Sequence, residues 1–138
     1  SKHIAGIIPV AKSQTDIDLL LHHSILPISN NFYNIQRSIV ECAYVGCNTI
    51  WVVCEDDRSP QLKMFEHFKN VEYRIGNSIM EDFCFYLGAK NLVSAGSSKI
   101  LWNVYNLNPN IKNFYCFLPE PIEERRFDHG KIHLYHRW

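Results

Sequence analysis

Apolar residues in this chain come in short blocks divided by polar, turn-forming residues, and the blocks alternate between two periods. Residues 4–11 (IAGIIPVA) form a compact apolar run suited to a buried strand. Residues 12–30 are polar in patches and contain Pro27, which predicts an extended loop. Asn30 and Asn31 are placed to cap a helix over residues 32–45, with Ile35, Ile39, Cys42 and Ala43 as its apolar stripe. Gly46 stands where a left-handed helix stop is expected. Residues 48–54 (NTIWVVC) are β-branched and aromatic, the composition of a central strand.

The same alternation continues to the end of the chain. Pro60 suits the first turn of a helix running to about residue 70, and Val71–Ile75 reads as a third strand followed by a Gly76-Asn77 turn. Ser78-Ile79-Met80-Glu81 matches a capping box and predicts a helix to about residue 89. Asn91–Ser94 is a fourth strand, residues 97–107 a helix stopped by Asn108-Pro109, and residues 112–118 (KNFYCFL) a fifth strand. An edge strand at Lys131–His136 completes the pattern. Two-residue hairpin signals are absent. Strand and helix in strict turn require parallel strands joined by right-handed crossovers. The expected fold is therefore one three-layer α/β domain over residues 1–138, Rossmann-like or flavodoxin-like, with a mostly parallel sheet of about five strands.

Composition narrows the partners. With 14 basic and 14 acidic side chains the formal charge is zero, so the basic stripe that nucleic acid requires is missing and no nucleic-acid partner is expected. The longest apolar stretches, Thr49–Cys54 and residues 91–95, are too short to span a bilayer, so no membrane partner is expected either. No signal-peptide pattern precedes the first strand. The five cysteines form no CxxC pair and sit in apolar patterns, which predicts buried free thiols and a cytoplasmic protein. No Gly-x-Ser-x-Gly elbow is present, so hydrolase chemistry has no support.

In an open parallel sheet, ligands bind beyond the carboxyl ends of the strands. The loop Ser94-Ala95-Gly96-Ser97-Ser98 lies between a strand and a helix; its glycine permits close approach, and its hydroxyls and the free helix amides suit a diphosphate. An ordinary turn glycine and a helix-capping Ser97 are the alternative. Asn77, in the turn after the third strand, is a further ligand-binding candidate. Glu55, Asp56 and Asp57 set three carboxylates just past the second strand. Asp56 and Asp57 could hold Mg²⁺, and Asp56 or Glu55 could serve as a catalytic base. The alternative is a solvated turn neutralised by Arg58. His129, His133 and His136 have a metal-like spacing, but alternation along a strand points His133 and His136 to opposite faces. His22 and His23 are expected to be exposed, and Trp51, Trp102 and Tyr86 to belong to the core.

Two stretches resemble known families. The first sixty residues, with IAGIIPVA, ILPIS and IVECAYVGCNTIWVVCEDD, resemble the opening of sugar-phosphate nucleotidylyltransferases. That resemblance implies a nucleoside triphosphate, a sugar phosphate and Mg²⁺ on a Rossmann-like sheet. The family's glycine-rich loop is represented here by Ala11-Lys12-Ser13-Gln14, without its glycines and arginine. Residues 54–117, with VVCEDDRSP, VEYRIGNSIMEDFCFYLGAKNLVSAGSS and LNPNIKNFYCF, resemble the donor-binding half of fucosyltransferase-like, GT-B-type glycosyltransferases. That resemblance implies that residues 94–98 approach the diphosphate of a nucleotide sugar. Lys99-Ile100-Leu101-Trp102 replaces the family's aromatic run after the serines. The leading expectation is a nucleotide-sugar-dependent transferase domain. A nucleotidylyltransferase-like domain and a non-catalytic α/β scaffold, of recombined or designed origin, are the alternatives.

Overall fold

The computed structural model describes residues 2–10, 27–29, 32–54, 65–66, 68–94, 99–118 and 130–136. Its elements are β1 (Ala5–Val10), β2 (Pro27–Ser29), β3 (Phe32–Tyr33), α1 (Asn34–Val45), β4 (Thr49–Cys54), β5 (Val71–Ile75), α2 (Ile79–Tyr86), β6 (Asn91–Ser94), α3 (Lys99–Leu107), β7 (Asn113–Leu118) and β8 (Lys131–His136). Six strands form one sheet in the order β5-β4-β1-β6-β7-β8, and every neighbouring pair is parallel. Counted in chain order this is 3-2-1-4-5-6, the doubly wound arrangement of Rossmann-like sheets. The expected fold class is correct, with β8 raising the count from about five strands to six.

Alternation along the strands builds one core on each face. Ile8, Val10, Val52, Tyr115 and Phe117 pack with Ile35, Ile39 and Cys42 of α1. Ile7, Val53, Leu92 and Phe114 point the other way and pack with Tyr86 of α2 and Leu101, Trp102 and Tyr105 of α3. The first crossover runs from β1 outward to β4. The later ones run back past β1 to β6 and on to β7. Crossovers of one hand reach opposite faces when the direction of travel reverses, so α1 is separated from α2 and α3 by the sheet.

The punctuation works as the residues dictate. Gly46, at φ 92°, ends α1 in the left-handed region. The capping box is complete: Glu81 N donates to Ser78 Oγ at 3.1 Å and Ser78 N donates to Glu81 Oε1 at 3.1 Å. These bonds hold the exposed Glu81 carboxyl below its usual range. Asn108 does more than stop α3. Its Nδ2 donates to Leu87 O at 2.7 Å and Ala89 O at 3.3 Å, while its Oδ1 accepts from Asn110 N. One buried amide thus ties the end of α3 to the end of α2.

Several expectations need correction. The first helix starts at Asn34 rather than 32, because Phe32–Tyr33 pairs antiparallel with Pro27–Ser29, a local hairpin pairing that capping by Asn30 and Asn31 did not anticipate. Residues 65–66 and 68–70 are turns, not the end of a helix, with Phe68 N donating to Phe65 O and Val71 N to Phe68 O. Helix α2 stops at Tyr86, three residues early, where the chain tightens into turns. Cys42, Cys47, Cys54 and Cys116 are buried free thiols, but Cys84 is exposed.

Gly6 is where α1 meets the sheet. A Cβ there would lie 2.7 Å from Cys42 Sγ and 3.0 Å from Cys47 Sγ. The Cys42 thiol is itself pushed well up, first by its hydrogen bond with Cys47 and then by burial. Overpacking of this kind typically costs about 1–3 kcal/mol. Gly6→Ala is expected to destabilise by that amount in urea titrations, and by clearly less in a Cys42→Ala background, where the closest contact is gone.

Candidate functional site

Because the six strands are parallel, the chain leaves β1, β4, β5, β6 and β7 at one edge, the carboxyl edge, and enters them at the other. The strand order reverses between β1 and β6, so the crevice of a doubly wound sheet falls beyond their ends. Ser94 is the last residue of β6 and is paired in register with Ile7 of β1 and Cys116 of β7. It shares the face of Leu92 and is only 1% exposed. Its hydroxyl has no hydrogen-bond partner among the described residues. Leaving a buried hydroxyl unpaired costs about 1–3 kcal/mol.

Glu55, Asp56 and Asp57, and likewise Gly96, Ser97 and Ser98, lie outside the described residues. What the sheet defines is where their turns begin. Cys54 and Ser94 end β4 and β6, which flank β1, so both turns start from the same edge. The strand spacing separates those origins by about 10 Å across the sheet, and the register by about 10 Å along it. Asn77 stands apart. It follows β5, with Gly76 N donating to Cys54 O at 3.2 Å, and β4 and β1 intervene before β6. Its strand is about 14 Å from Ser94 across the sheet.

Other charged and aromatic residues have structural roles. Asp82 is buried and accepts from Arg74 Nε at 3.3 Å; the Arg74 guanidinium lies 4.0 Å over the Phe85 ring. Trp102 and Tyr86 are core residues as expected, whereas Trp51 is half-buried with its ring edge-on to Phe85. His133 stacks on Tyr115, and no group of three or more His, Cys, Asp or Glu among the described residues could hold a metal ion. The Mg²⁺ expectation therefore rests on Asp56 and Asp57 alone. No helix among the described residues is long and apolar enough to cross a membrane.

Against protein-family models, curated proteins and solved structures, the chain finds no match. The two resemblances thus stand on their quoted residues, and the site rests on its geometry.

The amino edge holds features that periodicity did not single out. Asn91 Nδ2 donates to His3 O at 3.0 Å, Asn113 Nδ2 to Asn91 Oδ1 at 2.9 Å, and His133 Nε2 to Asn113 Oδ1 at 3.0 Å. This ladder links the start of β1 to β6, β7 and β8. Beside it Lys2 Nζ donates to Tyr115 Oη at 3.0 Å. A cavity of about 760 Å³ opens at the same edge, walled in part by Trp51 and Phe85 and bordered by Lys90 and Lys112. The sequence signal was a Lys-Asn pair that occurs three times, Lys69-Asn70, Lys90-Asn91 and Lys112-Asn113, at the entries of β5, β6 and β7.

Burial, then the charges of Lys131 and Lys2, hold His133 below its usual 6.5. A histidine depressed in the folded state contributes stability above about pH 6.5 that is lost as pH falls through the lowered value. NMR titration of its ring protons should give a midpoint below 6.5, and Lys131→Gln should move it upward. At the opposite edge, Ser94→Ala should raise the stability of the ligand-free protein by about 1 kcal/mol, because it removes a buried hydroxyl that has no partner among the described residues. Chemical denaturation reads this directly; a clear loss of stability would mean that the hydroxyl is already bonded.

Proposed function

We propose that this is a nucleotide-sugar-dependent transferase domain whose donor binds at the carboxyl edge, between the ends of β1 and β6. The observation that carries the proposal is the buried Ser94 hydroxyl with no partner among the described residues, at the reversal of the strand order. A diphosphate oxygen is the acceptor such a hydroxyl lacks. Ser97 and Ser98 add hydroxyls within four residues, Gly96 allows the backbone close to the ligand, and α3 begins just after them. A helix amino terminus favours an anion through its free amides and its dipole.

The chemistry follows from the charge that develops. When the bond from the sugar to the diphosphate breaks, its electrons leave with the nucleoside diphosphate. Hydroxyl and amide donors aimed at that oxygen stabilise the departing anion more than the intact donor. Asp56 or Glu55 would accept the proton of the attacking acceptor hydroxyl. Mg²⁺ on Asp56 and Asp57 would neutralise phosphate charge.

Calorimetry with GDP- and UDP-sugars, with and without Mg²⁺, tests the proposal. Binding is expected for at least one donor and should weaken about tenfold in Ser94→Ala, the effect of losing one hydrogen bond to a charged group. Absence of heat with every donor at millimolar concentration would sink it. Pyrophosphate release from a nucleoside triphosphate and a sugar phosphate would instead favour nucleotidylyl transfer. No rise in Tm across a nucleotide panel would favour a scaffold, since a ligand that binds only the native state must stabilise it.

A further inference from the structure

We propose that the amino edge carries a second binding site, independent of the first, for a small aromatic acid. The cavity there has about 760 Å³, within the usual range for sites that enclose a small organic molecule. Its apolar wall is already set. Trp51 and Phe85 meet edge to face with centroids 5.0 Å apart, and Arg74, held by Asp82, lies over Phe85. A wall fixed before binding loses little freedom when a planar ring packs against it.

The charge around that wall has one sign. Lys90 and Lys112 border the cavity, as does Lys2, whose ammonium is already bonded to Tyr115 Oη, and no carboxylate does among the described residues. The topology makes Lys90 and Lys112 neighbours, since Asn91 and Asn113 pair in register and Lys112 N donates to Lys90 O at 2.7 Å. Two ammonium groups entering adjacent strands repel each other, and an anion between them relieves that repulsion. Attraction between lysines and the carboxyl ends of helices accounts for positive charge at this edge. It does not account for an open aromatic wall beneath that charge. A planar ring with a carboxylate on its rim meets both features.

Naphthoate serves as the probe, followed by calorimetry and by amide chemical shifts. Naphthoate should bind, with shifts centred on Ala89, Lys90, Asn91 and Asn113. Its uncharged alcohol should bind at least tenfold more weakly. Lys90→Gln/Lys112→Gln, at exposed positions, should weaken naphthoate at least tenfold, leave the alcohol unchanged and leave Tm within a few degrees of wild type. Raising the salt concentration should also weaken naphthoate. Equal binding of acid and alcohol, indifference to the lysine changes, absence of binding, or shifts centred on Ser94 would each overturn the proposal. Because the two sites lie at opposite edges, a nucleotide sugar should not displace naphthoate, and either site can fail its test while the other passes.

Discussion

β1 is the constraint on which the molecule depends. It is flanked by β4 and β6, parallel to both, so its backbone groups are paired on two sides, and its side chains enter both cores. A strand in that position cannot tolerate polar side chains on either face, and AGIIPV has none. The chain must also reverse direction across β1 to complete the sheet. A reversal with crossovers of fixed hand changes the face on which helices lie. Separation of α1 from α2 and α3, the crevice at the ends of β1 and β6, and the position of Ser94 all follow from that reversal.

The two edges of a parallel sheet then differ in chemistry. At the carboxyl edge, helices begin, so free amides and positive dipole ends are presented to whatever binds there. At the amino edge, helices end, and Lys90, Lys112 and Lys131 meet the strand entries as counter-charges. The formal net charge of zero conceals this local excess of positive charge. A chain can therefore lack any overall attraction for anions and still hold anion-selective positions at both edges, one made by backbone amides and hydroxyls and the other by ammonium groups.

How much of this was legible depended on sequence distance. The capping box, the stop at Gly46 and the strands were readable because each is encoded within a few neighbouring residues. Ser94 was readable as the start of a serine-bearing loop, but the lack of a partner for its hydroxyl among the described residues was not. Its burial depends on Ile7 and Cys116, which come from distant parts of the chain. The amino-edge ladder was invisible for the same reason: its bonds join residues 88, 22 and 20 positions apart, one from each strand. The exposure of Cys84 went unseen because IMEDFCFY looks apolar on most sides, whereas only Asp82 and Tyr86 of α2 are buried.

That sparse packing of α2 explains why a cavity exists. The return crossover from β5 over β4 and β1 to β6 has a helix of only eight residues, about 12 Å long, against about 20 Å for the six-residue strands β4 and β1 that it passes over. Such a short element cannot roof the strands it crosses. It is anchored at its first turn by a charged contact, Asp82 to Arg74, rather than by an apolar stripe, and it leaves Ile79 and Met80 exposed at 70% and 69%. The amino-proximal residues Ala5 of β1 and Trp51 of β4 are consequently only half-buried, although they belong to central strands. A longer helix would have covered them and closed the space. The dimensions of one crossover therefore decide whether this edge is a packed margin or an open site, and the repeated Lys-Asn entries of β6 and β7 set the charge of its rim.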